Sequence, residues 1–311
     1  MSVGDNSGII ISEIGKKGAD KMHFVEAKGI LTGRGGYCGM NIYRGCTHAC
    51  IYCDSRSACY RFTHPFEDVE VKQNAPELLE KALKARRQRC MIGTGAMSDP
   101  YMHCEETLRL TRRCLQIILE HGFGAAIQTK SDRILQDIDL LDAINRSAKC
   151  VVQMTLTTFD DGLCRIVEPN VCPTKRRIEV LKTFRARDIP TVVWLTPILP
   201  FINDTAENLT AILNACAEAG VRGVIDFGMG LTLREGDREY YYAALDRHFP
   251  GMKETYIRRY GDAYVLPSPR ARELTELFHR LCGEHGMLSD PEACFRFIRE
   301  LPERYPQTKL W

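Results

Sequence analysis

Between residues 90 and 228, short apolar runs alternate with amphipathic stretches, and this alternation restricts the fold more than any other feature of the sequence. The runs "CMIGTG" (90–95), "FGAAIQT" (123–129), "CVVQMTLT" (150–157), "TVVWLTP" (191–197) and "VRGVIDFG" (221–228) read as buried strands. The stretches between them carry apolar residues at helical spacing: Leu108, Leu115, Ile118 and Leu119; Ile134, Ile138, Leu141 and Ile144; Ile178, Leu181 and Phe184. Asn74, Ser131 and Asp204 stand where helix N-caps are expected, Asp204 with Glu207 three residues later. A first strand around "MNIY" (40–43) completes six strand–helix units. Such alternation gives a parallel sheet. Six units fall short of the eight that close a barrel. The expected α/β fold is therefore a partial (β/α)6 TIM-like barrel, with its reactive site at the C-terminal ends of the strands. Beyond 231 the alternation stops, and "REYYYAALDRHF", "KETYIRRYG" and "PRARELTELFHRLCGEHG" look helical. The chain is thus divided into an N-terminal extension (1–37), the barrel (38–230) and a C-terminal helical region (231–311) that caps it.

Composition excludes several function classes. An apolar fraction of 44 % with 26 % charged residues is that of a folded globular chain. A net charge of +2 supplies no field for nucleic-acid or membrane binding. The basic groups Lys81, Lys84, Arg86, Arg87 and Arg89, and Lys175, Arg176 and Arg177, read first as solvated helix faces and second as nucleic-acid contacts. The first twenty residues are no signal peptide, and no apolar run reaches the ~18 residues of a membrane span, so a cytoplasmic location is expected. In that compartment the 14 cysteines are thiols rather than disulfides. Cys90, Cys114, Cys150, Cys216 and Cys282 sit singly in apolar surroundings and read as core.

The exception is "GCTHACIYCDSRSACY" (45–60), directly after the first strand. Cys46, Cys50 and Cys53 form C-x₃-C-x₂-C and can converge on one centre. A structural zinc site needs a fourth ligand, for which His48, Cys38 and Cys59 are near in sequence, but the usual second ligand pair is missing. A ferredoxin-type cluster also takes four cysteines. Three without a fourth leave one coordination position open, which is the mark of a reactive metal site.

At these residues the chain resembles the radical S-adenosylmethionine superfamily. The segments "NIYRGCTHACIYCDSRS", "MSDPY", "QTKSD", "QMTLTT" and "RIVEPN" resemble its branch related to spore photoproduct lyase, in order, over about 40–230. The resemblance implies that Cys46, Cys50 and Cys53 bind three irons of a [4Fe–4S] cluster, and that S-adenosylmethionine chelates the fourth. It implies an adenine contact at Tyr52, a carboxylate contact at Lys130, a cofactor contact at Thr155, and a site for the methionine amino group at Ser98 and Asp99. Read on their own, Lys130 is a surface lysine, Thr155 a strand residue, and Ser98–Asp99 a turn before Pro100. The implied reaction is reductive cleavage of S-adenosylmethionine to a 5′-deoxyadenosyl radical that abstracts hydrogen. The implied partners are an electron donor such as flavodoxin or ferredoxin and an unidentified substrate, nucleotides and nucleic acids included. Two positions depart from the lyase. Its hydrogen-donating cysteine corresponds to Ala96, and a relay tyrosine to Asp54. Spore photoproduct repair is therefore not expected. Cys38, Cys59, Cys104 and Cys164 are the substitute donors to consider. The competing readings are a metal-stabilised nucleic-acid-binding module without turnover, with Tyr240, Tyr241, Tyr242, Arg258 and Arg259 as contacts, and a true DNA photoproduct lyase. Cysteines outside the loop lack a compact second motif, so a single cluster is expected.

Overall fold

The computed structural model describes residues 21–33 and 35–302; the outer parts of both terminal segments lie outside the described residues. Six parallel strands form the central sheet: β1 (Tyr37–Met40), β2 (Met91–Thr94), β3 (Gly124–Thr129), β4 (Cys150–Thr155), β5 (Thr191–Trp194) and β6 (Gly223–Ile225). They lie side by side in chain order, and Leu31–Thr32 pairs antiparallel outside β1. The sheet is open, with β6 at one edge and Leu31–Thr32 at the other. This is the partial barrel expected.

The first strand lies three residues earlier than the sequence indicates. The run "YCGMNIYR" splits at Asn41 and Ile42: β1 joins the barrel, while Tyr43–Arg44 pairs antiparallel with Val69–Lys72. Met22–Val25 adds in parallel on the other side of Val69–Lys72, giving a separate three-stranded sheet.

Five helices follow the strands: α1 (Ala75–Lys84), α2 (Leu110–Glu120), α3 (Ile138–Ser147), α4 (Thr174–Arg185) and α5 (Ala206–Glu218). Their apolar faces cover one side of the sheet, where Ile92, Ile127, Val152, Met154 and Val193 are fully buried. The expected helix over 104–121 breaks at Arg109, whose φ of 52° is left-handed. The carboxylate of Glu105 accepts from Thr111 N at 2.9 Å, satisfying a donor that the new helix start leaves free. Two expected caps are replaced. Asn74 spends its amide on both backbone groups of Ala27, each at 3.0 Å. Thr205, not Asp204, accepts from Asn208 N and starts α5. Asp204 instead accepts from Ser268.

The C-terminal region divides into parts with different roles. Helices α6 (Asp237–His248) and α7 (Met252–Tyr260) send Tyr241, Leu245 and Tyr256 onto Ile51 and Tyr52, so this pair covers the cysteine loop. Helix α8 (Ala271–Glu284) packs outside, on α5. Helix α9 (Pro291–Arg299) enters the concave face, where Cys294 and Ile298 meet Met91, Ala126, Val151, Val192 and Ile225. Lys149 Nζ donates to the carbonyls of Phe297 and Glu300 and fastens its end. Phe295 of α9 forms an aromatic group with Trp194 and Phe227, the Phe227 and Phe295 rings stacked 5.9 Å apart. The Arg299 guanidinium lies 4.6 Å from the Phe295 ring and 5.5 Å from that of Tyr37.

Candidate active site

The cysteine loop is held from two directions. Gly45 has φ of 93°, and a Cβ there would come within 2.5 Å of the Phe66 carbonyl, so only glycine fits. That carbonyl accepts from Cys46 N at 3.1 Å. On the other side Ile51 N donates to Val167 O at 3.0 Å, and Asn170 Nδ2 donates to Thr47 O at 2.8 Å. The three thiols are thus presented by a braced backbone just beyond β1.

Burial raises the affinity for protons of two of these thiols. Cys46 is pushed up to about 12 by burial and by the Asp99 charge, and Cys50 is raised by burial although Lys130 opposes it. Thiols so placed become thiolates only when a cationic centre replaces the proton. Tetrahedral zinc would draw its sulfurs to about 3.8 Å apart, from Zn–S bonds of about 2.3 Å. Among the described residues, the trio of potential ligands whose atoms all fall within 4.8 Å lies elsewhere, at His23, His64 and Glu70.

Lys130, just past β3, is half-buried and reaches the same face, with Nζ 5.8 Å from the centre of the Tyr52 ring. Burial lowers its proton affinity, but the neighbouring Cys50 and Glu168 charges outweigh this and hold it raised, so it is an ammonium. The Tyr52 hydroxyl donates to Glu168, which also receives Arg177. Both members of this ion pair have no solvent exposure. Burial pushes the Glu168 carboxyl up; Arg177 and Lys130 overcome that and keep it below the usual range. Arg177 also donates to Thr155 O at 2.8 Å and Cys172 O at 2.9 Å, linking β4 to the loop after Val167.

Asp99 has structural work. One oxygen accepts from Tyr101 N and Thr129 Oγ1, and the other from Lys130 N at 2.8 Å. His48 Nδ1 faces it at 3.4 Å. Burial lowers His48 to about 4, so its imidazole is neutral. Ser98 lies beside it at the end of β2, and Gly95, with φ of 102°, allows the chain past Gln128 O, which a Cβ would meet at 1.8 Å.

All the sequence-derived positions Cys46, Cys50, Cys53, Tyr52, Ser98, Asp99, Lys130 and Thr155 therefore gather at the C-terminal rim of the sheet. Several buried polar atoms here have no protein partner: Thr47 Oγ1, His48 Nε2, Ser98 Oγ and Thr157 Oγ1. Buried polar groups are ordinarily paired. Unpaired donors and acceptors beside three thiols and an ammonium fit a cluster with a zwitterionic ligand.

Sequence reasoning misses Glu168 and Arg177. In the sequence Arg177 falls in with Lys175 and Arg176 as a basic face; those two are exposed or paired outward, while Arg177 is fully buried. Its place three residues after Thr174, on the apolar side with Ile178 and Leu181, is the signal that could have revealed it. Within the tyrosine run, Tyr241 is buried against Tyr256 and offers no face for stacking, while Tyr240 and Tyr242 are half-buried. Of the substitute hydrogen donors, Cys164 is held by Arg177 and Glu168, Cys38 and Cys104 lie in the main core, and Cys59 is exposed beside Arg234.

Residues 40–213 match the radical SAM superfamily, and the chain belongs to it. Members use a [4Fe–4S] cluster and S-adenosylmethionine, which are the cofactors of this protein. The fold is similar to spore photoproduct lyase solved with AdoMet and dinucleoside spore photoproduct, at 15% identity and a TM-score of 0.58 over 81% of this chain and 75% of that one. It is also similar to TsrM, a radical S-adenosylmethionine methyltransferase from Kitasatospora setae with cobalamin and a [4Fe–4S] cluster bound (13% identity, TM-score 0.50, 78% of this chain, 52% of that one). An uncharacterized protein of Mycobacterium tuberculosis is 29% identical over 265 residues, covering 79% of this chain and 75% of its own. One from Methanocaldococcus jannaschii is 32% identical over 168 residues, covering 53% and 61%. No helix among the described residues is long and apolar enough to cross a membrane.

Proposed function

We propose that Cys46, Cys50 and Cys53 hold three irons of the cluster, and that S-adenosylmethionine lies across the barrel mouth between this loop and Lys130. The observation that carries the reading is the shared face: a braced loop of three thiols and a half-buried ammonium, with unpaired polar atoms on the loop and on neighbouring strand ends. When bound, the cluster supplies the electron that releases a 5′-deoxyadenosyl radical for hydrogen abstraction. The protein's own residues bind and orient. Lys130 offers donors to the cofactor carboxylate, and Ser98 Oγ accepts from its amino group. Tyr52, fixed through Glu168, walls the adenine, and Thr155 closes the β4 side. Asp99 acts at one remove, by holding the backbone of Lys130.

The substrate of this reading is a small molecule, peptide or nucleotide other than the spore photoproduct. Alanine at position 96 has no transferable hydrogen. Asp54 is engaged with Ser57, Tyr60 and Arg234. A flavodoxin- or ferredoxin-type reductant in the cytoplasm completes it. The test is anaerobic reconstitution followed by iron and sulfide analysis and reduction with S-adenosylmethionine present. About four irons per chain and 5′-deoxyadenosine are expected; a colourless zinc protein would sink the assignment. Efficient turnover of dinucleoside spore photoproduct would overturn the exclusion of repair alone.

A further inference from the structure

The small sheet carries a group of side chains that the radical chemistry does not use. His23 lies on Met22–Val25, His64 on the loop before Val69–Lys72, and Glu70 on that strand. One ring nitrogen of each histidine and one carboxylate oxygen lie within 4.8 Å of one another. The imidazoles meet edge to face with centres 4.8 Å apart. Each ring also has an oxygen at Nδ1: Asp68 Oδ1 at 3.0 Å for His23, and Pro65 O at 3.0 Å for His64. An acceptor there keeps the proton on Nδ1 and leaves Nε2 as the lone-pair donor, which is how metal-binding imidazoles are oriented. His64 Nε2 already faces Glu70 Oε1 at 2.9 Å.

We propose that His23, His64 and Glu70 form a binding site for a divalent transition-metal ion of the zinc type, with Asp68 and the Pro65 carbonyl holding the two rings. Two imidazoles, one carboxylate and a water make a four-coordinate shell of nitrogen and oxygen. Bonds of about 2.0–2.1 Å require the ligand atoms to close to about 3.4 Å, a side-chain movement, and none of the three residues is locked in the core. Arg44 Nη1 sits 2.6 Å from Glu70 Oε1 and occupies part of that oxygen. The second oxygen remains for the ion. Glu70 and Asp68 offset two of the three positive charges that Arg44 and the ion bring. The site would join the strand Met22–Val25 to the segment that presents the Phe66 carbonyl to Cys46, and so brace the entrance of the cysteine loop from outside.

The loop thiols also bind zinc, so the test uses the full chain with Cys46→Ala, Cys50→Ala and Cys53→Ala, stripped with chelator. The anaerobically cluster-loaded protein is the second background. Calorimetric titration with Zn²⁺ should give one equivalent, and X-ray absorption a shell of nitrogen and oxygen without sulfur. Asp68→Asn, which keeps the side-chain shape, should weaken binding about 10–100-fold. His23→Ala with His64→Ala should weaken it further, with the fold checked by circular dichroism. Absence of a stoichiometric site in both backgrounds, sulfur in the shell, or unchanged affinity in either variant would overturn the proposal.

Discussion

At the mouth of the barrel, the buried pair Arg177 and Glu168 and the half-buried Lys130 lie beside hydroxyl and imidazole atoms that have no partner. At its floor, Lys149 Nζ donates to the carbonyls of Phe297 and Glu300, and Arg299 stacks on Phe295 and Tyr37. The floor satisfies its own polar groups with protein atoms, whereas the mouth leaves some for a ligand. The strands are the same at both ends, so the difference lies in the segments packed against them: loops carrying charge above, a helix carrying aromatic rings below.

Four substitutions test this contrast. The largest effect is expected at Arg177→Ala, which strands a buried carboxylate and should cost about 3–5 kcal/mol in denaturant unfolding. A loss below about 1 kcal/mol would mean the mouth does not depend on its ion pair. Next is Glu105, buried under Tyr43 on the flank of the mouth and raised by burial to about 7. Its folded value lies above its unfolded one, so its favourable contribution is complete below pH ~4.5 and is lost as pH rises through about 7. The change is on the order of 3 kcal/mol. Glu105→Gln should flatten that part of the stability profile; an unaltered slope would exclude the assignment. Lys130→Met separates binding from holding. It should weaken S-adenosylmethionine binding to the reconstituted protein about 10–100-fold, the worth of a hydrogen bond to a charged group. Unchanged affinity would remove Lys130 from the cofactor site. The smallest effect belongs to the floor: Arg299→Ala should cost about 0.5–1 kcal/mol of stability, with cofactor affinity unaltered. A change in cofactor affinity there would show that the two ends are coupled.

The barrel and its reactive rim were legible because both leave periodic or short-range marks. Strand runs recur with helical stretches between them, and Cys46, Cys50 and Cys53 lie within one loop. What escaped depends on contacts distant in sequence. Arg177 reads as part of a charged run until Glu168 and Thr155 O are seen beside it. The break at Arg109 is invisible because Glu105 and Leu110 both suit a continuous helix. The terminal helices share an amphipathic pattern, and nothing in it tells α7, above the loop, from α9, within the lumen.

The placement of α9 has a consequence for how the molecule assembles. Lys149 lies 148 residues before the Phe297 carbonyl it holds, and Leu288 returns to pair with Arg222 and Val224. Chains fold in synthesis order where they can, and distant contacts close late. The inner faces of β2 to β5 therefore emerge with their apolar residues uncovered, until α9 arrives as the last described helix. The nascent barrel is a hydrophobic trough before it is a cavity, and its exposure to aggregation is greatest in that interval.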